Sequence, residues 1–336
     1  MASSILKLKE IASSIILSSS EEDVEFAVQS LLEFYNTFSF NKLDEKDIPL
    51  DYGYALSAKH AADCIKDYKR TVAFIKGTYQ GILSSLNKFS GETINILYAG
   101  SGPYAPLIIP LLSLFKDDNK LKVTILDVNS SSVKSVKSII DKLEFQNFID
   151  DVLVADAITY QYSKVKKLHI VITETMFHAL TREPQVAITE NLKLQITKGG
   201  YLIPEKIEIK MGYSFFSKEP FLNQYKDIYT ISNSNKSINR DGMISLFELK
   251  NTSSSIFENF IFESSWIQLP QNIQDTPDVC IFTTINIFKD IKLHDSDSLI
   301  TNPYCLGSLY NLKEKGFSKF KVRYSIKKDP SWTILT

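Results

Sequence analysis

At 336 residues the chain is long enough for two domains, or one large one, around a full hydrophobic core. Hydrophobic residues at 44% and charged residues at 23% are those of an ordinary soluble globular protein. A formal net charge of -1, from 38 Lys and Arg against 39 Asp and Glu, argues against a dedicated nucleic-acid binder with its basic stripe.

No apolar run reaches the ~20 residues that span a bilayer, so no membrane association is expected. The first residues are interrupted by Lys7, Lys9 and Glu10 and read as an amphipathic helix rather than a secretory signal. Ser20 followed by Asp23 opens an acidic first turn, after which Val24, Val28, Leu31 and Phe34 recur at helical spacing. Residues 58–86 read as one longer helix that stops near Ser90-Gly91. Cys64, Cys280 and Cys305 lie far apart without metal-ligand spacing; they suit structural thiols in a reducing cytoplasm, and no metal is expected.

Strand and helix then alternate. Apolar runs at 94–100, 122–128, 150–156 and 168–174 read as buried strands. Helices follow the first two, one carrying Leu107, Ile108, Leu111 and Leu112, the other Val133, Val136, Ile140 and Leu143. Residues 188–196 read as a helix closed by Gly199-Gly200, and 201–211 turns back as a strand. The series predicts an α/β fold: a Rossmann-like, doubly wound parallel sheet with ligand at the carboxyl ends of its strands. From about 205, short strand-like runs at 206–216, 243–250, 257–269, 279–288 and 319–326 alternate with polar turns and predict a barrel-like antiparallel β domain. Residues 230–242 are polar enough for a mobile loop. The expected organisation is an N-terminal helical region (1–90), a Rossmann-like domain (91–204) and a β domain (205–336) for substrate and dimer contacts.

The chemistry begins at Gly100-Ser101-Gly102, where glycines after a strand let the backbone turn tightly and approach a ligand. Pro103 and Tyr104 stand where dinucleotide enzymes use glycine, which disfavours a diphosphate. Asp127 ends the second strand and could accept both hydroxyls of a ribose, or cap a helix. Asp156 could accept from an adenine amino group, with Ala157 offering its backbone amide to the ring; alone, Asp156 would be a turn aspartate. Two acids nine residues apart, Glu174 and Glu183, follow the fourth strand and can clamp a planar guanidinium by paired charge-assisted hydrogen bonds. The bland readings are a strand-end acid for Glu174 and a helix start before Pro184 for Glu183.

A glycine turn followed by acids after the second and third strands resembles a class I S-adenosylmethionine methyltransferase. The two glutamates, the preceding helices and the β-rich tail narrow this to a resemblance to protein arginine methyltransferases, over roughly residues 50–215. Tyr54 precedes His60 by six, and Asp67-Tyr68-Lys69-Arg70-Thr71 follows with one residue more than that family's pattern. The Gly200-to-Pro204 turn into the β domain matches as well. The resemblance implies that Arg70 pairs with the methionine carboxylate of S-adenosylmethionine, that His60 approaches the same end, and that Tyr54 lines the channel to the acceptor. It implies S-adenosylhomocysteine as product and a homodimer. His178, inside the double-glutamate loop, is a candidate substrate contact.

Departures from the pattern bear on the acceptor. Tyr98 replaces an acid before the glycines, and Tyr104 would crowd the cofactor site. The family's Thr-His-Trp loop has its best counterpart in Thr301-Asn302-Pro303, without histidine or tryptophan, and nearby His294 reads as a solvated turn residue. The dimerisation arm, about 213–235, is short. The expected acceptor is therefore free arginine or a small arginine-like metabolite, with protein arginine next. Another small amine, or a non-catalytic cofactor-binding subunit, are the remaining readings.

Overall fold

The computed structural model describes residues 2–38, 43–115, 120–163, 165–225, 240, 242–251, 261–270 and 277–336. Helices α1 (Ala2–Leu17) and α2 (Glu21–Asn36) form a hairpin. The Ser20 hydroxyl accepts from Asp23 N–H while the Asp23 carboxylate accepts from Ser20 N–H, so α2 begins in a capping box. A short antiparallel pair, β1 (Ile48–Leu50) and β2 (Gly53–Ala55), interrupts the region expected to be helical throughout.

The long predicted helix is two, α3 (Ala58–Asp63) and α4 (Tyr68–Lys88), separated by a tight turn over Cys64–Lys66. Asp67 makes the break. It takes a non-helical conformation (φ −77, ψ 84), and one of its oxygens accepts from Arg70 N–H at 3.4 Å. The other accepts from the Ser298 hydroxyl at 2.8 Å and Leu299 N–H at 2.9 Å. A cap and a long-range tether on one carboxylate outweigh helical periodicity here.

The alternating series forms β3 (Ile94–Ala99), α5 (Ile109–Leu112), β4 (Leu121–Asp127), α6 (Ser130–Leu143), β5 (Ile149–Val154), β6 (Leu168–Thr173), α7 (Gln185–Leu192) and β7 (Ile196–Ile203). The five strands are all parallel, in the order β5-β4-β3-β6-β7. The order reverses between β3 and β6, which opens a crevice at their carboxyl ends. The three central strands, β4, β3 and β6, are buried along nearly their whole length because both faces of the sheet are covered there. Ile94, Ile96 and Tyr98 face the core shared with α1, α2 and α4, while Leu97 and Ala99 face Ile188 and Leu192 of α7.

Gly199 and Gly200 do not close a helix; they lie inside β7. A Cβ on Gly200 would sit 2.6 Å from the His169 carbonyl oxygen, and Gly199 has φ +83, so the pair forms an irregularity that lets β7 press against β6.

The remainder is antiparallel: β8 (Lys206–Ser214), β9 (Ile244–Lys250), β10 (Ile261–Glu263), β11 (Ile267–Gln268), β12 (Asp278–Phe288), β13 (Ile291–Leu293), β14 (Tyr304–Ser308), α8 (Leu309–Glu314), β15 (Lys319–Ser325) and β16 (Ser331–Leu335). One sheet runs β13-β12-β8-β9 with β14 also on β12; in the other, β15 pairs with β10, β11 and β16. Among the described residues the two sheets do not close into a barrel. They meet instead by side-chain packing, with Phe247 5.0 Å from Phe262 and 6.0 Å from Trp332 between ring centroids. The cysteines far apart in sequence are not all apart in space: Cys280 and Cys305 are opposed across β12 and β14 as free thiols. Most of the expected arm beyond 225 and of the 230–242 loop lies outside the described residues. No helix among the described residues is long and apolar enough to cross a membrane.

Candidate active site

A cavity of about 660 Å³ opens at the carboxyl ends of β3, β4, β5 and β6 and reaches the loop 296–302 of the β domain. Gly100 and Gly102 turn beneath it at φ +72 and +59. A Cβ on Gly100 would lie 2.2 Å from Thr175 Cγ2, and one on Gly102 would lie 3.3 Å from Ala61 Cβ. Both positions therefore need glycine for conformation as well as for space.

Asp127 lies beside this turn and is buried. One oxygen accepts from Gly102 N–H and the other from Asn129 N–H, both at 2.8 Å. Helix capping falls to Asn129, whose side chain accepts from Ser131 and Ser132 N–H. A carboxylate has about four acceptor sites, so two stay open for a diol. Burial pushes Asp127 up to about 6; the two N–H bonds oppose the shift and Asp44 adds to it. Asp156 and Ala157 line the next side of the cavity. Asp156 also accepts from Ile158 N–H at 2.9 Å, the turn role that its position allows. A small-side-chain cradle, a buried carboxylate with free acceptor sites and a second acid fit a nucleoside. Among the described residues no cluster of His, Cys, Asp or Glu could hold a metal ion.

Arg70 and Glu174 meet directly. Arg70 Nη1 is 3.0 Å from Glu174 Oε2, and Arg70 Nη2 donates to the Cys64 carbonyl at 2.7 Å. The two side chains are only 11% and 10% exposed, so the pair is screened little by solvent. Burial works against the Arg70 charge, but Glu174, Cys64 and Asp67 outweigh it and hold the guanidinium above its ordinary value. Burial raises Glu174, with Arg70 opposing. Glu183 has no such partner among the described residues: burial, then the Glu174 charge, push it up to about 8, with Arg70 and Arg182 opposing. The site thus contains one acid paired to an internal guanidinium and a second, Glu183, that lacks such a partner and is raised to about 8. Tyr98 is buried beside Glu174, and burial and that charge raise its phenol.

The loop between the two acids is strained and held from outside. Ala179, Leu180 and Arg182 have φ +54, +57 and +66, a left-handed conformation that costs an L-residue about 1–2 kcal/mol each. Trp332 Nε1 donates to the Ala179 carbonyl at 2.8 Å and the Tyr324 hydroxyl to the Leu180 carbonyl at 2.6 Å. Arg182 N–H donates to the Pro330 carbonyl at 3.0 Å, and its own carbonyl accepts from Tyr54 N–H at 2.8 Å. Gln185 Oε1 accepts from Thr175 N–H at 2.8 Å, tying the two ends of the loop together.

Tyr54 and His60 line the cavity. His60 Nδ1 lies 3.1 Å from Asp47 Oδ1. His178 does not line it. Its ring packs on Phe177 at 4.2 Å and on Tyr304 at 5.5 Å, turned there by the left-handed residues that follow, and burial and Arg182 push it down to about 4. The ring expected to contact substrate is thus packed outside the lining of this cavity. Tyr104 is stacked on Tyr35 of α2 at 4.7 Å, which orients its ring. His294 is exposed in a turn closed by Asp297.

The β-domain segment that bonds to Asp67 at the start of α4 is Ser298-Leu299 rather than Thr301-Asn302-Pro303. Thr301 is spent on a capping box with Ser298, although Asn302 lines the cavity.

No family model matches the chain, and no curated protein does. Among solved structures the chain is similar to the PRMT1 enzyme–prozyme heterotetrameric complex with AdoHcy from Trypanosoma brucei. The identity is 12%, the TM-score 0.46, and the match covers 78% of this chain and 86% of that one. It is also similar to protein arginine methyltransferase 10 of Arabidopsis thaliana in an open conformation, at 11% identity and TM-score 0.49, over 80% and 87% of the two chains.

Sequence reasoning missed Trp332, Tyr324 and Gln185. Trp332 alone carried a signal, as one of only two tryptophans in the chain.

Proposed function

We infer that this protein transfers a methyl group from S-adenosylmethionine to a guanidino nitrogen. The observation that carries the reading is a pair of largely buried carboxylates, Glu174 and Glu183, sharing one cavity with Arg70 and the glycine turn. Once Glu183 is ionised, the single internal cation leaves that pair one positive charge short, and a guanidinium supplies it in the planar form two carboxylates hold best.

Gly100 and Gly102 would let the backbone approach the nucleoside, Asp127 would accept the ribose hydroxyls, and Arg70 would hold the amino-acid carboxylate. S-adenosylmethionine supplies an electrophilic methyl on a sulfonium. Glu174 and Glu183 would fix the acceptor guanidinium so that one nitrogen faces that methyl. As the C–N bond forms and the C–S bond breaks, the nitrogen gives up a proton. Glu183, ionised once the acceptor is bound, lines the same cavity and would take it.

The test is transfer of labelled methyl to guanidines by the wild type, Glu174→Gln and Glu183→Gln. Turnover should fall by about 100-fold or more in each variant, with cofactor affinity retained. Normal turnover in both variants would remove the clamp.

A further inference from the structure

Directly before Glu183 stands an arginine that forms no ion pair among the described residues. The chain has four arginines. Arg70, Arg240 and Arg323 each pair with a carboxylate, at 3.0, 2.7 and 2.6 Å, whereas Arg182 has no carboxylate within ion-pair distance among the described residues. It lines the cavity and is exposed to solvent, and its guanidinium carbon lies 5.4 Å from the Phe177 ring centre. An aromatic face steadies a guanidinium while leaving its N–H edge free for an anion.

The backbone spends a good deal to hold this side chain there. Arg182 is left-handed and fixed on both sides, by the Pro330 carbonyl and by Tyr54 N–H. Gly53 must be glycine to admit it, since a Cβ there would lie 2.2 Å from the Arg182 carbonyl oxygen. A surface lysine or arginine needs none of this.

A fixed cation at the mouth of an acidic site opposes any acceptor that arrives only as a cation. It favours one that brings an anion with its guanidinium. A basic peptide with an internal arginine offers no such anion. An amino acid offers its α-carboxylate, in the bidentate form that a guanidinium matches.

We propose that Arg182 binds the carboxylate of the acceptor, so that the substrate is a free guanidino acid such as arginine rather than an arginine inside a basic peptide. The inference rests on the guanidine reading of Glu174 and Glu183 and names the substrate class for that site. Arg182 also favours ionised Glu183 and Asp47 by its charge. That effect would be the same for every guanidine and so can be separated from recognition.

The experiment measures kcat and KM with arginine, agmatine (the same guanidine without the carboxylate), argininamide and a peptide with one internal arginine. The enzymes are the wild type, Arg182→Ala and Arg182→Lys. The wild type should prefer arginine to agmatine and argininamide by about 30-fold or more in kcat/KM, mostly through KM. Arg182→Ala should bring the three within about threefold of one another, and Arg182→Lys should restore part of the preference. A wild type that methylates agmatine or the peptide as well as arginine would overturn the proposal, even if neither variant folds. So would an Arg182→Ala enzyme that loses activity equally on all four. A wild type that binds S-adenosylmethionine and methylates none of them would instead overturn the guanidine reading itself, and this proposal with it.

Discussion

Glu183 holds its proton in the free protein at neutral pH, and a guanidinium acceptor should drive that proton off. Burial and the Glu174 charge push Glu183 up to about 8, while Glu174 has Arg70 at 3.0 Å as counter-ion. It follows that about 0.9 of Glu183 is protonated at pH 7 and about 0.1 at pH 9. A bound cation needs the ionised form. Acceptor affinity should therefore rise about tenfold per pH unit, about 1.4 kcal/mol each, until pH 8, and level off above it. The assay is calorimetric titration of a guanidine into protein saturated with S-adenosylhomocysteine, whose thioether carries no charge, in buffers of different ionisation enthalpy. Release should be about 0.9 proton per acceptor at pH 7 and about 0.1 at pH 9, and absent at both in Glu183→Gln. The same raised value stabilises the unliganded fold. That contribution is complete below the ordinary 4.5 and is lost as pH rises through about 8. The wild-type melting temperature should drop across this window relative to Glu183→Gln. Tight acceptor binding at pH 7 with no proton released would refute the reasoning.

Asp127 is raised to about 6 and must be ionised to accept two hydroxyls, so cofactor affinity should be flat above pH 6 and weaken about tenfold per unit below it; a binding series from pH 5 to 8 checks this, and Asp127→Asn should flatten it. Arg70→Met leaves Glu174 buried beside Asp67 without a counter-ion and should cost about 3–5 kcal/mol in denaturant unfolding, with recovery in Arg70→Met/Glu174→Gln. Gly100→Ala places a methyl 2.2 Å from Thr175 Cγ2 at φ +72, and should abolish cofactor binding measured by titration while the far-ultraviolet spectrum stays native. Trp332→Phe removes the donor to the Ala179 carbonyl; it should lower stability by about 1–3 kcal/mol and cut kcat/KM by more than it changes cofactor affinity.

What the sequence made legible was local. The central parallel strands could be read because β3, β4 and β6 are largely apolar runs, and the glycine turn because Gly100 and Gly102 directly follow one. What escaped depends on partners far along the chain. Asp67 looked like one more helical residue because its second set of partners, Ser298 and Leu299, lies 231 and 232 positions away. Gly199 and Gly200 carried the usual signature of a helix end, and only contact with the His169 backbone makes them strand residues. His178 was a reasonable substrate contact by position in its loop. The left-handed turn at Ala179 and the Tyr304 ring, from another sheet, decided its direction.

The same distance effect explains why the loop between Glu174 and Glu183 needs the β domain at all. Three left-handed residues between Glu174 and Glu183 would relax in an isolated loop, at about 1–2 kcal/mol apiece. Hydrogen bonds from Trp332, Tyr324 and Tyr54, and one accepted by Pro330, offset that strain at about 1 kcal/mol each. Strain and restraint are therefore of similar size, so the loop holds its shape only while β15, β16 and β2 are docked on it. The position of Glu183, and of Arg182 before it, is then a property of the assembled chain. The antiparallel sheets shape the Glu183 side of the cavity as directly as the parallel sheet shapes the side at the glycine turn.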